Sequence, residues 1–332
     1  MADETTKKTE SSDAYIHKYV PFEEYKDYYK QAIILERTDD GILTVRIHTK
    51  GGPALWTSAH HDGMAQLTRL IGQDPENEVV IFTGTGDKWT DNMPIDMDAT
   101  EDAIAEEGEE VEHKNSGKDA LDVASEDMLG YYRSLYDNWY VDGQDLLKNM
   151  IFDINVPTIG VINGPGCGHW EFAQACDLCI CSDDTYFSEN HFVAGPGFVP
   201  GDGQTLVHQH LVGTRRAAYM ALTGVQVSAQ TALEWGLVNE VLPREQLMPR
   251  AMELAESIMQ RDRIVRRLTH DILRQPWKHA LVDNPGESFE FSLECWSAAL
   301  TSADQLREAC LTLGPAGMAQ KEEDRKNGVN CI

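Results

Sequence analysis

The chain has 332 residues, of which 42% are hydrophobic and 8% aromatic, so it can bury a sizeable core and has the composition of an ordinary soluble globular enzyme. Its net charge of -27 repels phosphate backbones and argues against a nucleic-acid partner. No apolar run approaches the roughly 20 residues that span a bilayer. The polar start of the chain also lacks the apolar stretch of a secretion signal, so we expect no membrane partner and a cytoplasmic protein.

An antiparallel hairpin opens the predicted fold. Residues 32–37 and 41–48 are apolar-rich runs on either side of a Thr-Asp-Asp-Gly turn. A helix is predicted over residues 58–71, and the short run 78–86 is predicted to be a buried strand that ends in glycines. The order of these elements favours an α/β fold.

An acidic segment over residues 96–127 interrupts this pattern. It holds 13 Asp and Glu residues against Lys114 and Lys118, so it contributes -11 of the net charge. Its low apolar content predicts a solvated surface insertion. A lid over the site is the alternative interpretation, because the segment directly follows a strand end, where ligands commonly bind.

Strands and helices alternate again after the acidic segment. A helix is predicted over residues 125–150, strands over 157–164 and 178–181, and further helices over 169–176 and 203–212. From residue 215 onward nearly every segment is predicted to be helical, including residues 247–261, 264–282 and 287–300. Repeated strand, helix, strand units imply a largely parallel sheet wrapped by helices, with a helical C-terminal region packed beside it.

The loop from His191 to Asp202 carries an imidazole and a carboxylate at the two ends of a segment rich in glycine and proline. Such a segment can fold back until the two side chains touch. An aspartate that accepts a hydrogen bond from one ring nitrogen fixes the histidine tautomer and leaves the other nitrogen able to take a proton from water. By itself such a pair is more often two surface bystanders, so its weight depends on the other motifs.

Several motifs resemble the crotonase, or enoyl-CoA hydratase/isomerase, superfamily over roughly residues 30 to 300. They are Val161-Ile-Asn-Gly164, Ala175-Cys-Asp177, Pro200-Gly-Asp-Gly203, Leu222-Thr-Gly224 and the run from Ser228 to Val241. The resemblance implies a crotonase-like ββα spiral core followed by a helical C-terminal trimerisation region. The expected parts are a polar tail over residues 1–24, a core over 25–245 that contains the acidic insertion, a helical region over 246–302 and a tail over 303–332.

The candidate site resembles the 6-oxocamphor hydrolase and β-diketone hydrolase branch, which cleaves carbon–carbon bonds in diketones without coenzyme A. His169 stands where hydratases of the superfamily have a run of glycines, and His191 replaces their second glutamate. Asp202 follows Pro-Gly, as in the branch, and the Leu-Trp-Thr-Ser segment around Trp56 is similar to its tryptophan motif. Glu294 occupies the approximate place of the branch's site glutamate. The loop between His191 and Asp202 is two residues longer than the branch's pattern.

The resemblance implies roles for five catalytic residues. His191, oriented by Asp202, would activate water, while His169 and the indole N–H of Trp56 would stabilise the alkoxide, an effect of about 3 kcal/mol per donor. Glu294 would help to return a proton. The residues expected to contact the substrate are Trp170, Glu171, Phe192 and Met93. No metal or cofactor is implied, and the assembly implied is a homotrimer or hexamer.

Each of these residues also has a purely structural interpretation. Trp56 is expected at a strand-to-helix junction, where a buried aromatic side chain is common. His169 lies where a helix is predicted to begin and could cap it. Glu294 is solvent-exposed by its spacing on an apolar-faced helix, and Glu171 could bond to the backbone or to one of the histidines.

The cysteines do not indicate a metal site. Seven cysteines are an odd count in a chain too large to need disulfides, so reduced thiols are expected. Cys176, Cys179 and Cys181 invite a zinc interpretation, but alternating cysteines on a buried strand usually pack as small hydrophobic side chains, and no second ligand pair lies at finger spacing. The glycine-rich turns also lack the spacing of a nucleotide-binding loop.

Three classes of function follow. The leading hypothesis is a hydrolase that cleaves a small-molecule β-diketone to a keto acid by a retro-Claisen reaction. One alternative is a lyase, an isomerase or an enoyl-CoA hydratase-like enzyme that acts on another enolisable substrate, and the other is a noncatalytic scaffold. The absence of Lys and Arg between residues 157 and 213 disfavours a ligand with several phosphates.

Overall fold

A computed structural model describes residues 19–91, 142–189, 192–193 and 203–282. Within these ranges the strands are β1 (Ile33–Arg37), β2 (Ile42–Ile47), β3 (Ala54–Leu55), β4 (Val79–Thr83), β5 (Thr90–Asp91), β6 (Thr158–Ile162), β7 (Leu178–Ser182), β8 (Tyr186–Phe187), β9 (Val227–Ser228) and β10 (Glu240–Leu242). The helices are α1 (Phe22–Tyr25), α2 (Ser58–Gln73), α3 (Asp142–Phe152), α4 (Glu171–Gln174), α5 (Gln204–Val212), α6 (Thr214–Thr223), α7 (Ala229–Trp235), α8 (Arg244–Met259) and α9 (Arg263–Val282). None of these helices is long and apolar enough to cross a membrane.

Six of the strands form one sheet in the order β1-β2-β4-β6-β7-β10. Strands β1 and β2 are an antiparallel hairpin, whereas every other neighbouring pair in this sheet is parallel. Parallel neighbours require crossover connections, and the described part of each crossover contains a helix. The carboxyl ends of β4, β6 and β7 therefore lie at one edge of the sheet, the edge at which α/β proteins usually bind ligands.

The two faces of the sheet bury separate apolar clusters. Within β4, Val80 and Phe82 belong to the larger cluster, whereas Val79 and Ile81 belong to the smaller one. This alternation with a period of two is expected of a strand that is covered on both faces. Helix α8 covers the smaller cluster with a stripe of buried residues spaced four apart that begins at Leu247.

Gly160 in the middle of β6 lets helix α4 approach the sheet closely. A Cβ atom at this position would lie 2.2 Å from the carbonyl oxygen of Ala173, a distance at which atoms clash. Any larger residue would push α4 away from the strand. Because α4 begins at Glu171, two residues after His169, this close approach fixes the position of the candidate site relative to the sheet.

The structure confirms the predicted fold class and most of the predicted elements. The hairpin has the expected turn, α2 begins at Ser58 as predicted, and β4, β6 and β7 overlap their predicted runs. Helices α5, α8 and α9 also overlap their predicted positions. The acidic segment 96–127, residues 125–141 of the helix predicted next and the helix predicted over 287–300 lie outside the described residues.

One predicted helix was wrong and several short strands were missed. The helix expected over residues 169–176 is reduced to Glu171–Gln174, because His169 has a φ of 59°, a left-handed conformation that cannot belong to a right-handed helix. The region after residue 215 also contains β9, which pairs with β8, and β10, which extends the sheet beside β7. These strands have two and three residues, too few to produce a recognisable alternation in the sequence.

The cysteines of the described chain are free thiols. Cys176, Cys179 and Cys181 are buried, as predicted, and Cys167 is exposed. Burial raises the pKa of the Cys176 and Cys181 thiols to about 12, so both are protonated at neutral pH and pack as small apolar groups. Within the described ranges, no group of three or more His, Cys, Asp or Glu side chains is arranged to hold a metal ion.

A buried ionic cluster fastens α9 to the sheet. His270 Nδ1 lies 2.7 Å from Asp177 Oδ2 and its Nε2 lies 3.0 Å from the carbonyl oxygen of Ile154, so both ring nitrogens face acceptors. The buried Arg274 guanidinium lies 3.4 Å from Asp177 and donates to Thr158 Oγ1. Burial alone would raise the pKa of Asp177, but the hydrogen bond from His270 and the charge of Arg274 outweigh burial and hold that pKa below its usual value.

Replacing Asp177 by asparagine is expected to lower the free energy of unfolding by about 3 kcal/mol at neutral pH, because one partner of a buried ionic cluster is lost. The folded-state pKa of Asp177 lies below its unfolded value of about 3.9, so its contribution to stability is complete above that pH and is lost as the pH falls through the folded-state pKa. Urea unfolding of the protein and the variant over a pH series measures this difference. It should shrink below about pH 4, and a constant difference would contradict the assignment.

Candidate active site

Trp56 lies at the junction between β3 and α2. Strand β3 pairs in parallel with β5, which ties this junction to the chain that follows β4. Thr57 precedes α2 and donates its backbone N–H to the ring Nδ1 of His60 at 3.2 Å, which holds the first turn of the helix. The Trp56 side chain is buried at this junction. The structural interpretation of Trp56 as a buried aromatic is therefore correct, and its surroundings decide whether it also has a chemical role.

The loop between β6 and α4 presents His169. Asn163 donates its side-chain amide to the carbonyl oxygens of Gly86 and Lys88 at 3.0 and 2.8 Å, and the indole N–H of Trp89 donates to the carbonyl oxygen of His169 at 2.9 Å. These bonds join the loops that follow β4 and β6. They hold His169 in a left-handed conformation that costs a non-glycine residue about 1–2 kcal/mol. Backbone strain of this kind is concentrated at functional sites.

The rings of Trp56 and His169 stack on each other, with centroids 4.1 Å apart and an interplanar angle of 19°. The Phe172 ring lies 5.1 Å from the Trp56 ring and also stacks on it. His169 Nδ1 lies 3.1 Å from Oε1 of Glu171, a fully buried carboxyl group. A carboxylate at Nδ1 stabilises the imidazolium form of His169, whose Nε2–H is then a donor for a developing negative charge. The structural interpretation of Glu171, in which its carboxyl group bonds to one of the histidines, is confirmed.

His61 is a buried member of the same cluster that the sequence did not reveal. Its ring packs edge-on against the rings of both Trp56 and His169, at 5.5 and 5.3 Å. The adjacent His60 has a structural role: it stacks on Trp56 and donates Nε2–H to the carbonyl oxygen of His48, and burial lowers its pKa to about 4, so it is neutral. The signal that could have identified His61 is its position in the first turn of α2, directly after the tryptophan motif.

Two indole N–H groups in this region are buried and have no acceptor among the residues that the structure describes, namely Trp56 Nε1 and Trp170 Nε1. A buried donor without an acceptor costs about 1–3 kcal/mol, and native proteins rarely leave one unsatisfied. A carbonyl oxygen of a bound ligand would satisfy the Trp56 donor.

The structure brings together three of the predicted site residues, Trp56, His169 and Glu171. Trp170 is fully buried and its ring packs edge-on against Phe187. Phe192 is 51% exposed among the described residues. The other predicted site residues, Met93, His191, Asp202 and Glu294, lie outside the described residues.

Known proteins share this fold and this sequence pattern. The sequence profile of the enoyl-CoA hydratase/isomerase family matches residues 116–291. A hydroxycinnamoyl-CoA hydratase-lyase from Pseudomonas fluorescens is 27% identical over 231 residues, which cover 69% of this chain and 73% of that protein.

Solved structures are also similar. A β-diketone hydrolase from the cyanobacterium Anabaena sp. PCC 7120, bound to (S)-3-oxocyclohexyl acetic acid, has 27% identity and a TM-score of 0.69, with 85% of this chain and 98% of that chain covered. An enoyl-CoA hydratase/isomerase from Mycobacterium paratuberculosis has a TM-score of 0.62 at 19% identity, covers 83% of this chain and 97% of that chain, and shows the fold alone. The predicted resemblance is confirmed, and because the profile matches more than half of its length, the chain belongs to the enoyl-CoA hydratase/isomerase family.

Proposed function

We propose that the protein hydrolyses a carbon–carbon bond of a β-diketone and releases a keto acid. The observation that carries this proposal is the stacked pair of Trp56 and His169, with Glu171 behind the imidazole. The similarity to a β-diketone hydrolase at 27% identity supports it, because that protein has the same fold over nearly its whole length. Membership of the crotonase superfamily of enzymes, a wider class, rests on the family match.

In the proposed reaction, His191, oriented by Asp202, takes a proton from water as the water oxygen attacks one carbonyl carbon. The alkoxide that forms then collapses, so that the carbonyl group is restored and the bond to the α-carbon breaks. The electron pair of that bond is delocalised onto the second carbonyl group as an enolate, which is why a 1,3-diketone is the natural substrate. His191 returns the proton to the enolate carbon with help from Glu294, and water is the only co-reactant.

The alkoxide needs hydrogen-bond donors at the place where its charge develops. Trp56 Nε1–H and His169 Nε2–H are the proposed donors, and the carboxylate of Glu171 keeps the imidazole in the form that can donate. The aromatic stack fixes both rings before the substrate arrives, so little reorganisation is needed during the reaction.

The proposed binding site for the rest of the substrate is apolar with few donors. Trp170, Glu171, Phe192 and Met93 are the proposed contact residues. A neutral or singly charged diketone needs no more than an apolar surface and one or two hydrogen bonds. A net charge of -27 and a stretch from residue 157 to 213 without Lys or Arg favour such a ligand over one with several phosphates.

A second candidate function is a hydratase or lyase reaction on a coenzyme A thioester. The similarity to a hydroxycinnamoyl-CoA hydratase-lyase favours it. Isothermal titration with coenzyme A and with acyl-CoA thioesters separates the two candidates. We expect no micromolar binding of either compound, and binding in that range would replace the hydrolase proposal by this one.

The test of the proposed function is a panel of cyclic and linear 1,3-diketones. Cleavage removes the conjugated enol of the substrate, so loss of the enol absorbance reports turnover directly. We expect turnover of at least one cyclic member of the panel without added cofactor. A panel in which no member is consumed faster than in buffer would refute the proposal.

Helix α9 supports a proposal about assembly, because several of its apolar side chains are exposed. Among the side chains of this helix that the structure describes, four are buried, namely Arg266, His270, Arg274 and Trp277. Its exposed positions form an apolar stripe of Ile264, Leu268 and Ile272, each more than half exposed. Contiguous exposed apolar surface on a globular protein usually marks an interaction site. We propose that this stripe is covered in the homotrimer or hexamer that the family resemblance implies.

A charge in this stripe is expected to reduce the assembly. Leu268→Glu and Ile272→Glu should each lower the molar mass in solution, measured by light scattering during size-exclusion chromatography at micromolar concentration. Gln73→Glu, at an exposed position of α2, adds the same charge elsewhere and should leave the mass unchanged. A monomeric mass for the unaltered protein would contradict the proposal.

A further inference from the structure

A buried polar contact joins α4 to α5 next to the aromatic cluster. His208 Nε2 lies 3.2 Å from Oε1 of Gln174, and these side chains belong to residues that are 1% and 2% exposed. An amide oxygen can only accept, so His208 donates from Nε2. Burial lowers the pKa of His208 to about 4, against a smaller opposing effect of the Glu189 charge, so the ring is neutral at neutral pH and carries its single proton at Nε2.

The two helices that this contact joins lead to different parts of the proposed catalytic machinery. Helix α4 begins with Glu171, the hydrogen-bond partner of His169. Helix α5 begins two residues after Asp202. One turn before His208, Gln204 donates its side-chain amide to the carbonyl oxygen of Ser188 at 3.3 Å.

The hydrogen bonds of Gln204 and His208 together connect the chain at Ser188, helix α5 and helix α4. Ser188 lies three residues before His191 in the chain, so the Gln204 bond joins the chain on the two sides of the segment that contains His191 and Asp202. The bond between His208 and Gln174 then joins helix α5 to helix α4, which begins with the hydrogen-bond partner of His169. Both bonds are buried, so water cannot easily replace them.

We propose that the contact between His208 and Gln174 is a positioning contact that holds helix α4, and with it Glu171 and His169, at a fixed distance from helix α5. The catalytic meaning of this distance rests on the proposed function, in which the His169 side chain stabilises the alkoxide. Displacement of a catalytic group by about 1 Å can lower a rate by about 100-fold, so a distant hydrogen bond that sets such a distance has a measurable effect on kcat.

Two variants of His208 test the hydrogen bond separately from the volume of the ring. In His208→Gln the amide nitrogen reaches about as far as Nε2 and can donate to Gln174, whereas His208→Met fills the space without a donor. We expect His208→Met to lower kcat for the diketone by at least about 10-fold with little change in KM, and His208→Gln to restore most of it. Full kcat in His208→Met, or equal loss in both variants, would overturn the proposal.

A matched control separates positioning from general loss of stability. Asn77 is fully buried, and its amide donates to the carbonyl oxygen of Ile71 at 2.9 Å and to the hydroxyl group of Tyr25 at 3.1 Å. It precedes β4, at the edge of the sheet opposite the candidate site. Asn77→Leu should reduce the free energy of unfolding, measured in urea, at least as much as His208→Met does, and should leave kcat unchanged.

The contact can be tested even if the protein cleaves no diketone, an outcome that would refute the proposed function alone. Crystal structures of the unaltered protein and of His208→Met give the distance from the ring of His169 to the backbone of helix α5. A change larger than about 0.5 Å, the tolerance of catalytic geometries, supports the positioning role. An unchanged distance would overturn it.

Discussion

Replacing His191 by alanine is expected to abolish turnover of a β-diketone, because the proposed reaction then has no base to activate water. Replacing Asp202 by asparagine should slow the chemical step by about 10⁴-fold, the size of effect seen where a carboxylate that orients a catalytic histidine becomes an amide. An amide can donate to the ring nitrogen and so select the wrong tautomer. Single-turnover measurements with each variant give the rate of the chemical step.

Substrate binding is the control for this experiment. The Asp202→Asn variant keeps the size of the side chain, so the dissociation constant of the substrate or product should stay within a few-fold of its normal value. Wild-type turnover in His191→Ala would show that another group is the base, and the His169–Glu171 pair would then be the first candidate because it is already hydrogen-bonded.

The second large effect is expected at His169. His169→Phe keeps an aromatic ring against Trp56 but removes both ring nitrogens, so the alkoxide loses one donor and kcat should fall by about 10²–10³-fold. Trp56→Phe, which removes the indole N–H, should have an effect of similar size. Steady-state kinetics with both variants measure the losses.

Glu171→Gln tests the electrostatic role of the buried carboxylate. The amide keeps a polar partner for the His169 ring but removes the negative charge that stabilises the imidazolium. We expect a smaller loss of kcat than in His169→Phe, and the loss should grow as the pH rises, because without that charge the imidazolium releases its proton more easily. A loss in Glu171→Gln that is the same at every pH would contradict the proposed protonation of His169.

The parts of the fold that can be predicted from the sequence are those marked by a pattern of neighbouring residues. The hairpin follows from apolar runs around a turn sequence, and β4 follows from a nearly continuous apolar run, because a strand covered on both faces has few polar positions. The start of helix α9 is predictable to within one residue. The orientation of α9 is not, because its buried face includes His270 and Arg274, whose partner, Asp177, is distant in the sequence.

The geometry of the candidate site depends on contacts that no local pattern contains. His169 is expected within a helix, but the bond from Trp89, 80 residues earlier in the chain, and the stack on Trp56 hold it in a left-handed conformation instead. His61 was missed for the same reason, since its role appears only when α2 and the loop after β6 come together. Residue types could indicate Trp56, His169 and Glu171 as candidates, but only the fold brings the three side chains together.

The most direct test of the central claim is the mass of the product formed in water labelled with oxygen-18. A cyclic 1,3-diketone is incubated with the protein without added cofactor, and the product is analysed by mass spectrometry. Carbon–carbon hydrolysis predicts an open-chain keto acid heavier than the substrate by one water molecule, with the heavy oxygen retained in its carboxyl group. An unchanged diketone, or a hydrated product that keeps its ring and contains no carboxyl group, would contradict the proposed reaction.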